Sequence, residues 1–280
     1  TNYCFFIDKK IKEGYDYPKI FILPYEFSSD LYKGTLLECE LIRKRNKKWC
    51  IGINDIYYQK NYISLYLKEN ESIFEFKFSE GKSFFYNIAI KRPIMNVGSV
   101  IVDDGYFDLE TVYGYGGFYT NNQDTVFLER AISAYKNKCI NENIIAEFIR
   151  FHPFNKFPIE SSATLDFCSM DREVVYIDLS LTKDQRWSTY SKNTRNILRR
   201  CEKELVFSES EELTCFTSLY NKSMNDKNAQ DFYYFDDKYY QDIKNNELAS
   251  LFSVSVDNLA ISSGLFMFGD VFGHYHLSAN

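Results

Sequence analysis

Three basic residues share one face of a predicted helix and could bind an oxyanion. In the segment Ser191–Arg200, Lys192, Arg195 and Arg199 fall within a narrow arc at about 100° per residue, and Leu198 falls on the opposite side. Guanidinium groups bind phosphate and carboxylate oxygens through paired hydrogen bonds. The spacing therefore predicts an amphipathic helix whose basic ridge (Lys192, Arg195 and Arg199) either binds an anionic group or is simply solvated.

A second segment combines glycines with tyrosines. Residues 110–118 read ETVYGYGGF and form the Gly-Tyr turn. Gly116 and Gly117 free the backbone for positive φ or for close approach to a ligand, and Tyr113 and Tyr115 offer flat rings with hydroxyl tips. The segment is thus either a ligand-contacting loop or an ordinary turn.

Two histidines are candidates for proton transfer, because imidazole titrates near neutral pH. His152 lies in Glu147–Pro153 after a predicted buried strand, where it either acts as a base or holds a turn by hydrogen bonding. His276 alternates with His274 along the last predicted strand, so the two share a face. With no third ligand nearby in the sequence, no metal is expected. No nucleophile motif of the Gly-x-Ser-x-Gly type is present.

Four segments in this order resemble the bacterial FemABX-like branch of the GNAT acyltransferase superfamily: Glu110–Phe118, Glu147–Pro153, Ser191–Arg200 and Gly273–Asn280. The resemblance implies tandem GNAT-like domains of α/β (α+β) class with mixed, largely antiparallel sheets. The Tyr-His-Leu-Ser-Ala strand that contains His276 would flank the acyl-transfer groove.

The resemblance also implies a reaction. An acyl group would pass from acyl-CoA to an amino group of a phosphorylated sugar or cell-envelope glycan precursor. The amine attacks the thioester directly, helped by a base and by amides of a splayed strand. Arg195 and Arg199 would contact a phosphate or carboxylate of the acceptor, and the Gly-Tyr turn would form part of the cleft wall.

The predicted elements fall on either side of a loop rich in Pro, Asn and Ser, which is the expected domain boundary. Residues 53–158 and 159–280 are the two predicted domains, with a cleft between them, and residues 1–52 form an N-terminal extension of unknown role. The predicted elements are helices at Tyr58–Leu67, Asp124–Lys136, Glu211–Lys222 and Asp236–Asn246, and strands at Ile73–Phe78, Phe84–Ile90, Ile144–Phe151, Val174–Leu179, Leu248–Val256, Leu259–Phe268 and Val271–Ala279.

The resemblance also implies where the acyl-CoA diphosphate would bind relative to the end of the sequence. In GNAT folds, the acyl-CoA diphosphate is held by the turn and helix N-terminus that follow the last strand of the meander. That turn would begin at Asn280, where the sequence stops. We therefore expect a second domain that is truncated, a chain that is inactive by itself, and His274 and His276 on a strand at an open sheet edge.

Composition narrows the possible partners. The net charge is −6, from 33 basic and 39 acidic residues, which argues against broad binding to DNA. The run Arg43–Lys48 is either a solvated turn or a contact for an anionic partner. Seven scattered cysteines, the lack of a leading secretory segment and the lack of a run of about 18 apolar residues predict a cytoplasmic protein without a transmembrane segment.

Two other functions stay open. One is a peptidyltransferase that uses aminoacyl-tRNA to extend a peptidoglycan precursor, which the net acidity and the lack of heptads disfavour. The other is a non-catalytic binding protein that keeps the acceptor cleft. Titration with acyl-CoA and with charged tRNA distinguishes among the acyltransferase, the peptidyltransferase and the binding protein.

Overall fold

The structure is a computed structural model. It describes the backbone of residues 39–42, and residues 55–102, 105–161, 164–170, 173–210, 212–269 and 271–280. Helices combine with mixed, largely antiparallel sheets, so the predicted α+β class is confirmed. The predicted basic run Arg43–Lys48 and the rest of the N-terminal extension apart from residues 39–42 lie outside the described residues.

The strands and helices are numbered in chain order. The strands are β1 Cys39–Ile42, β2 Ser72–Glu80, β3 Ser83–Pro93, β4 Asn96–Val97, β5 Val100–Ile101, β6 Phe107–Glu110, β7 Tyr119–Thr120, β8 Ile144–Phe148, β9 Val175–Asp178, β10 Val206–Ser210, β11 Ala249–Val256, β12 Leu259–Phe268 and β13 Phe272–Ala279. The helices are α1 Lys60–Ser64, α2 Thr125–Asn141, α3 Phe157–Glu160, α4 Lys183–Thr189, α5 Lys192–Glu204, α6 Leu213–Asp226 and α7 Asp237–Asn245.

The chain forms two compact units. The first unit is residues 50–172, and the second is residues 173–280 together with β1. In the part of the chain that is described, no helix is both long enough and apolar enough to cross a bilayer.

The first unit is built on a sheet in the order β2-β3-β6-β8, with β7 also paired to β3. Strands β2, β3 and β6 are antiparallel, whereas β6 and β8 are parallel and are joined through α2. The alternation that predicted β2 is real, since Phe74 and Phe76 are buried while Glu75 between them is exposed. Helix α2 begins where the Asp124 carboxylate accepts a hydrogen bond from the amide of Phe127, a standard N-cap.

A buried polar network links three elements of this unit. Asn87 of β3 donates from Nδ2 to the Tyr135 hydroxyl at 3.0 Å and to Glu147 at 2.8 Å. The Tyr135 hydroxyl of α2 donates to the other Glu147 oxygen at 2.6 Å. Burial raises the pKa of both Glu147 and Tyr135. Because each member needs its partners when removed from water, the network fixes α2 against the sheet.

The second unit is built on a sheet in the order β10-β11-β12-β13-β1-β9. The last three predicted strands are present as β11–β13 and form an antiparallel meander. Asp257 and Asn258, which join β11 to β12, both have positive φ (49° and 63°), as a two-residue type I′ hairpin requires. Strand β10, which pairs with β11, was not predicted.

The expectation that the last strand lies at an open edge is wrong at His274. Strand β1 pairs antiparallel with β13, placing Glu40 opposite His274 and Ile42 opposite Phe272. On its other side β1 runs parallel to β9. A segment more than 200 positions away in the sequence therefore covers the edge, and hydrophobic periodicity within β13 carries no information about such a partner.

We predict that Tyr135→Phe lowers the free energy of unfolding by about 1.5–3 kcal/mol, the range for hydrogen bonds to charged groups. The phenyl ring keeps the packing but removes a donor to Glu147 and an acceptor for Asn87. Tyr86→Phe is the matched control. Its hydroxyl donates to Glu75 at 3.0 Å, but Glu75 is 40% exposed and retains water, so the loss should stay below about 1 kcal/mol. Equal losses in urea unfolding would contradict the structural role of the network.

Candidate functional site

The Gly-Tyr turn continues the parallel pairing of β6 and β8 beyond both strands. Gly116 donates its amide to the carbonyl of Arg150 at 2.9 Å and pairs with Phe151 in a parallel bridge. Gly117 has φ +86°, and a Cβ there would lie 2.5 Å from Ile149 Cγ2 and 2.8 Å from the Phe151 ring. The glycine is thus required for the close packing of the Ile149 and Phe151 side chains on its backbone.

Aromatic side chains hold this turn from one side. The Tyr62 hydroxyl donates to the carbonyl of Tyr113 at 2.6 Å, and the Tyr113 ring stacks on Tyr66 with centroids 5.6 Å apart. Tyr115 is only 7% exposed and meets the ring of Tyr57 edge to face. Within the first unit, Tyr115 is therefore a packed core side chain, whereas Tyr113 is half-buried.

His152 holds the turn that follows β8. Its Nδ1 accepts a hydrogen bond from the amide of Phe154 at 3.2 Å, and its carbonyl accepts from Asn155 at 2.8 Å. Its buried ring packs edge to face on Tyr115, and a ring nitrogen lies within 4.8 Å of an Asp55 carboxylate oxygen. Because Nδ1 is an acceptor, the neutral ring carries its proton on Nε2. These contacts are the ones expected if His152 holds the turn by hydrogen bonding, the second of the two roles considered for it.

The basic ridge lies on α5, whose N-cap Ser191 accepts a hydrogen bond from the amide of Thr194 at 3.0 Å. Leu198 of this helix is buried, as the amphipathic pattern predicts. Lys192 is exposed in the first turn, which contains no acidic side chain. A lysine beside the positive end of a helix dipole is unfavourable by itself and becomes favourable when an anion is bound there.

Helix α4 and Tyr190, the residue that follows it, orient the two arginines of the ridge. The Arg195 Nη1 donates to the carbonyl of Tyr190 at 2.5 Å, and the Arg199 guanidinium lies 5.3 Å from the centroid of the Trp187 ring. The second contact is a cation–π interaction. Arg200, by contrast, lies outside the arc of the ridge at the helical spacing of about 100° per residue. Its guanidinium pairs with Glu204 at 3.4 Å. The ridge is consequently a partly ordered surface rather than a row of unrestrained side chains.

His276 occupies a β-bulge in β13. Leu265 pairs with Leu277 and Phe266 pairs with Tyr275, so His276 is the extra residue in the ladder. Its Nε2 is hydrogen-bonded to the Tyr239 hydroxyl at 2.6 Å. Burial, together with the nearby charge of His274, lowers the pKa of His276 to about 3. His276 is therefore neutral at physiological pH and accepts a proton poorly.

The structure groups the predicted residues within each unit separately. In the first unit it brings together the Gly-Tyr turn and His152; in the second, the ridge residues share α5, and His276 lies on β13. Three residues that hold them were not predicted: Trp187 and Tyr239, which act through their side chains, and Tyr190, which acts through its backbone carbonyl. Trp187 and Tyr190 precede the basic helix by only a few residues, so their proximity in the sequence could have indicated a contact with it. Tyr239 is 37 positions from His276, and no local pattern connects them.

Comparisons with known proteins do not assign a family. No protein-family model matches the chain, and no curated protein matches it.

We predict that Gly117→Ala lowers the free energy of unfolding by about 2–5 kcal/mol, combining left-handed strain with overpacking against Ile149 and Phe151. Gly81→Ala is the control, because Gly81 also has positive φ (59°) but has no atom within 4 Å of its added Cβ. It should cost only about 1 kcal/mol. Thermal unfolding followed by circular dichroism measures both, and similar losses would show that close approach is not what requires Gly117.

The lowered pKa of His276 predicts a pH dependence of stability. The unfolded chain binds a proton near pH 6.5 that the folded chain accepts only near pH 3, so stability falls as pH falls through this window. His276→Gln keeps a polar group for Tyr239 but does not titrate. From about pH 7.5 to about pH 5, the natural protein should lose about 2 kcal/mol more than His276→Gln in urea unfolding. Parallel pH profiles would contradict the burial of a neutral His276.

Proposed function

We propose that this protein is an N-acyltransferase of the FemABX-like GNAT type, acting with acyl-CoA on an amino group of a phosphorylated sugar or cell-envelope glycan precursor. The order of elements in the second unit carries the proposal. Strand β10 is followed by helices α6 and α7 and then by the antiparallel meander β11–β13. A strand, two helices and a three-stranded meander are the order in which a GNAT domain opens.

The irregularity of β13 supports the same reaction. A bulge takes the extra residue, His276, out of the regular ladder and bends the strand locally. Acyl transfer of this kind uses backbone amides of a splayed strand to polarise the thioester carbonyl. The hydrogen bond between His276 and Tyr239 fixes the bulged strand against α7, so His276 is proposed to position the strand rather than to accept a proton.

The N-terminal turn of α5 supports an anionic acceptor. Its first-turn amides, Lys192 and Arg195 place positive charge together, and Ser191 caps the helix without adding negative charge. The carbonyl of Tyr190 and the ring of Trp187 limit the motion of the two arginines, which reduces the entropy lost when an anion binds. A phosphate of the acceptor fits this combination of charges.

The reaction follows from these roles. With its phosphate bound at α5, the acceptor presents an amine, whose nitrogen attacks the carbonyl carbon of the thioester. Amides of the bulged strand stabilise the oxyanion as it forms. The carbon–sulfur bond breaks, CoA leaves as the thiolate, and the proton lost by the amine balances that charge.

Two assays test whether acyl-CoA is the donor. Release of the CoA thiol is measured with acetyl-CoA and a set of phosphorylated amino sugars, including nucleotide-linked ones, and binding of each donor is measured by calorimetry. Thiol release that depends on the amino sugar supports the proposal and overturns the expectation that the chain is inactive by itself. Binding of aminoacyl-tRNA with amide formation would replace it by peptidyl transfer, and acceptor binding without either donor would replace it by a binding function.

We predict that Arg195→Ala weakens binding of the phosphorylated acceptor by roughly 1.5–3 kcal/mol, about 10- to 150-fold in Kd, because a charge-assisted hydrogen bond is lost. Arg200→Ala is the matched control on the same helix and should change the Kd by less than about twofold, since that guanidinium pairs with Glu204. Equal effects of the two substitutions, or no effect of Arg195→Ala, would show that the ridge is only a solvated helix face.

A further inference from the structure

A short β-ribbon projects from the end of β3 in the first unit. Strands β4 and β5 pair antiparallel, with Val97 opposite Val100, and Gly98 takes the left-handed conformation (φ 61°) that a two-residue turn uses. At its base, the amide of Ile94 donates to the carbonyl of Tyr106 at 2.9 Å. The ribbon is therefore a hydrogen-bonded element with a defined register.

The ribbon exposes apolar side chains on both faces. Four of them are largely accessible to solvent: Met95 68%, Val97 64%, Val100 64% and Ile101 80%. Directly paired residues share a face and successive residues alternate. Val97 and Val100 thus occupy one face, and Ile101 occupies the other. Residues 94–102 contain no charged side chain.

Two basic residues at the base of the ribbon, Lys91 and Arg92, are already paired with carboxylates. Lys91 contacts Glu142 at 2.9 Å, and Arg92 forms a two-pronged ion pair with Asp108 at 2.8 and 2.9 Å and a further pair with Glu110. These cations are thus largely neutralised by carboxylates of the same unit. With a net charge of −6 for the chain, electrostatic attraction to an anionic surface is not expected to drive binding.

The distribution of the apolar surface over two faces, rather than its size, argues against a protein partner. The four side chains expose on the order of 500 Å² in total, which is comparable to the apolar share of the roughly 800 Å² that a standard protein–protein interface buries on each partner, but this area is divided between two faces. A partner or second copy packed on one face would also leave the other face in water. A lipid layer, by contrast, surrounds both faces at once.

We propose that the β4–β5 ribbon inserts into the interfacial region of a lipid bilayer with zwitterionic headgroups and anchors the protein reversibly at the membrane surface. The apolar tip reaches the boundary between headgroups and acyl chains, at a depth of about 5–10 Å. The backbone groups at Gly98 and Ser99 remain within reach of headgroups and water, so the ribbon does not span the bilayer. Tyr106, 37% exposed at the ribbon base, suits the headgroup level, where an amphipathic ring is favoured.

This anchoring is independent of acyl transfer and of its donor. Anchoring would place the protein at the membrane surface. An enzyme held there would meet acceptors carried on lipids at high local concentration. Failure of the thiol-release assay would leave the lipid proposal intact, and failure of lipid binding would leave acyl transfer intact.

Co-sedimentation with phosphatidylcholine vesicles tests the proposal. The natural protein should partition onto the vesicles, and the double substitution Val100→Ser with Ile101→Ser should lower the partition coefficient at least about tenfold, because apolar area no longer leaves water. Val126→Ser is the matched control: Val126 is 56% exposed in the first turn of α2 of the same unit, at the opposite end of that helix from Glu142, and the partition coefficient should stay within about twofold.

Two further measurements make the result specific. Raising the salt from about 0.05 to about 0.5 M should leave binding almost unchanged, since the interaction is apolar. In Ile101→Trp, the tryptophan emission should shift to shorter wavelength when vesicles are added. No vesicle binding, equal binding by the double variant, or a ribbon-dependent dimer in sedimentation equilibrium without lipid would each overturn the proposal.

Discussion

The first unit depends on the close approach of the Gly-Tyr turn to the segment that follows β8. Because Gly117 lacks a Cβ, Ile149 and Phe151 can pack directly on its backbone, and the amide of Gly116 reaches the carbonyl of Arg150. This contact extends the parallel pairing of β6 and β8 past the end of the sheet. Next to it in the turn, the Tyr115 ring meets His152 edge to face. Any larger residue would separate the two segments and release the tyrosines they hold.

The second unit depends on a corresponding constraint at β13. Its two neighbours, β12 and β1, come from opposite ends of the described chain; β12 pairs with it as far as Ala279, and β1 pairs with its first three residues, Phe272–His274. The bulge at His276 is held from α7 through the Tyr239 hydroxyl. A neutral, buried histidine is stable there because its hydrogen bond is satisfied without a charge. The same arrangement that makes His276 a poor base makes it a rigid support for the irregular backbone that the proposed acyl transfer requires.

The proposed activities place opposite demands on different surfaces. Anion binding at α5 needs cations that are not already neutralised, and the ridge arginines are held by a carbonyl and an indole ring. Lipid insertion at the β4–β5 ribbon needs charge to be absent, and there Lys91 and Arg92 are neutralised by carboxylates. Basic residues of similar sequence context thus have different electrostatic roles because of the side chains that surround them.

The sequence by itself determined the features that arise from local periodicity and chain stereochemistry. These include the half-buried strand β2, the amphipathic helix α5, the capping box of Thr182 and Gln185 on α4, and the Asp257-Asn258 hairpin. Only the tertiary structure decided which elements become neighbours: β1 beside β13, Tyr239 on His276, and Glu147 with Asn87 and Tyr135. Such contacts join residues from 12 to more than 200 positions apart, and they form because buried polar groups and strand edges must be satisfied somewhere in the folded chain. That requirement is visible in the sequence, for example as Asn87 within an apolar strand, but the identity of the partner is not.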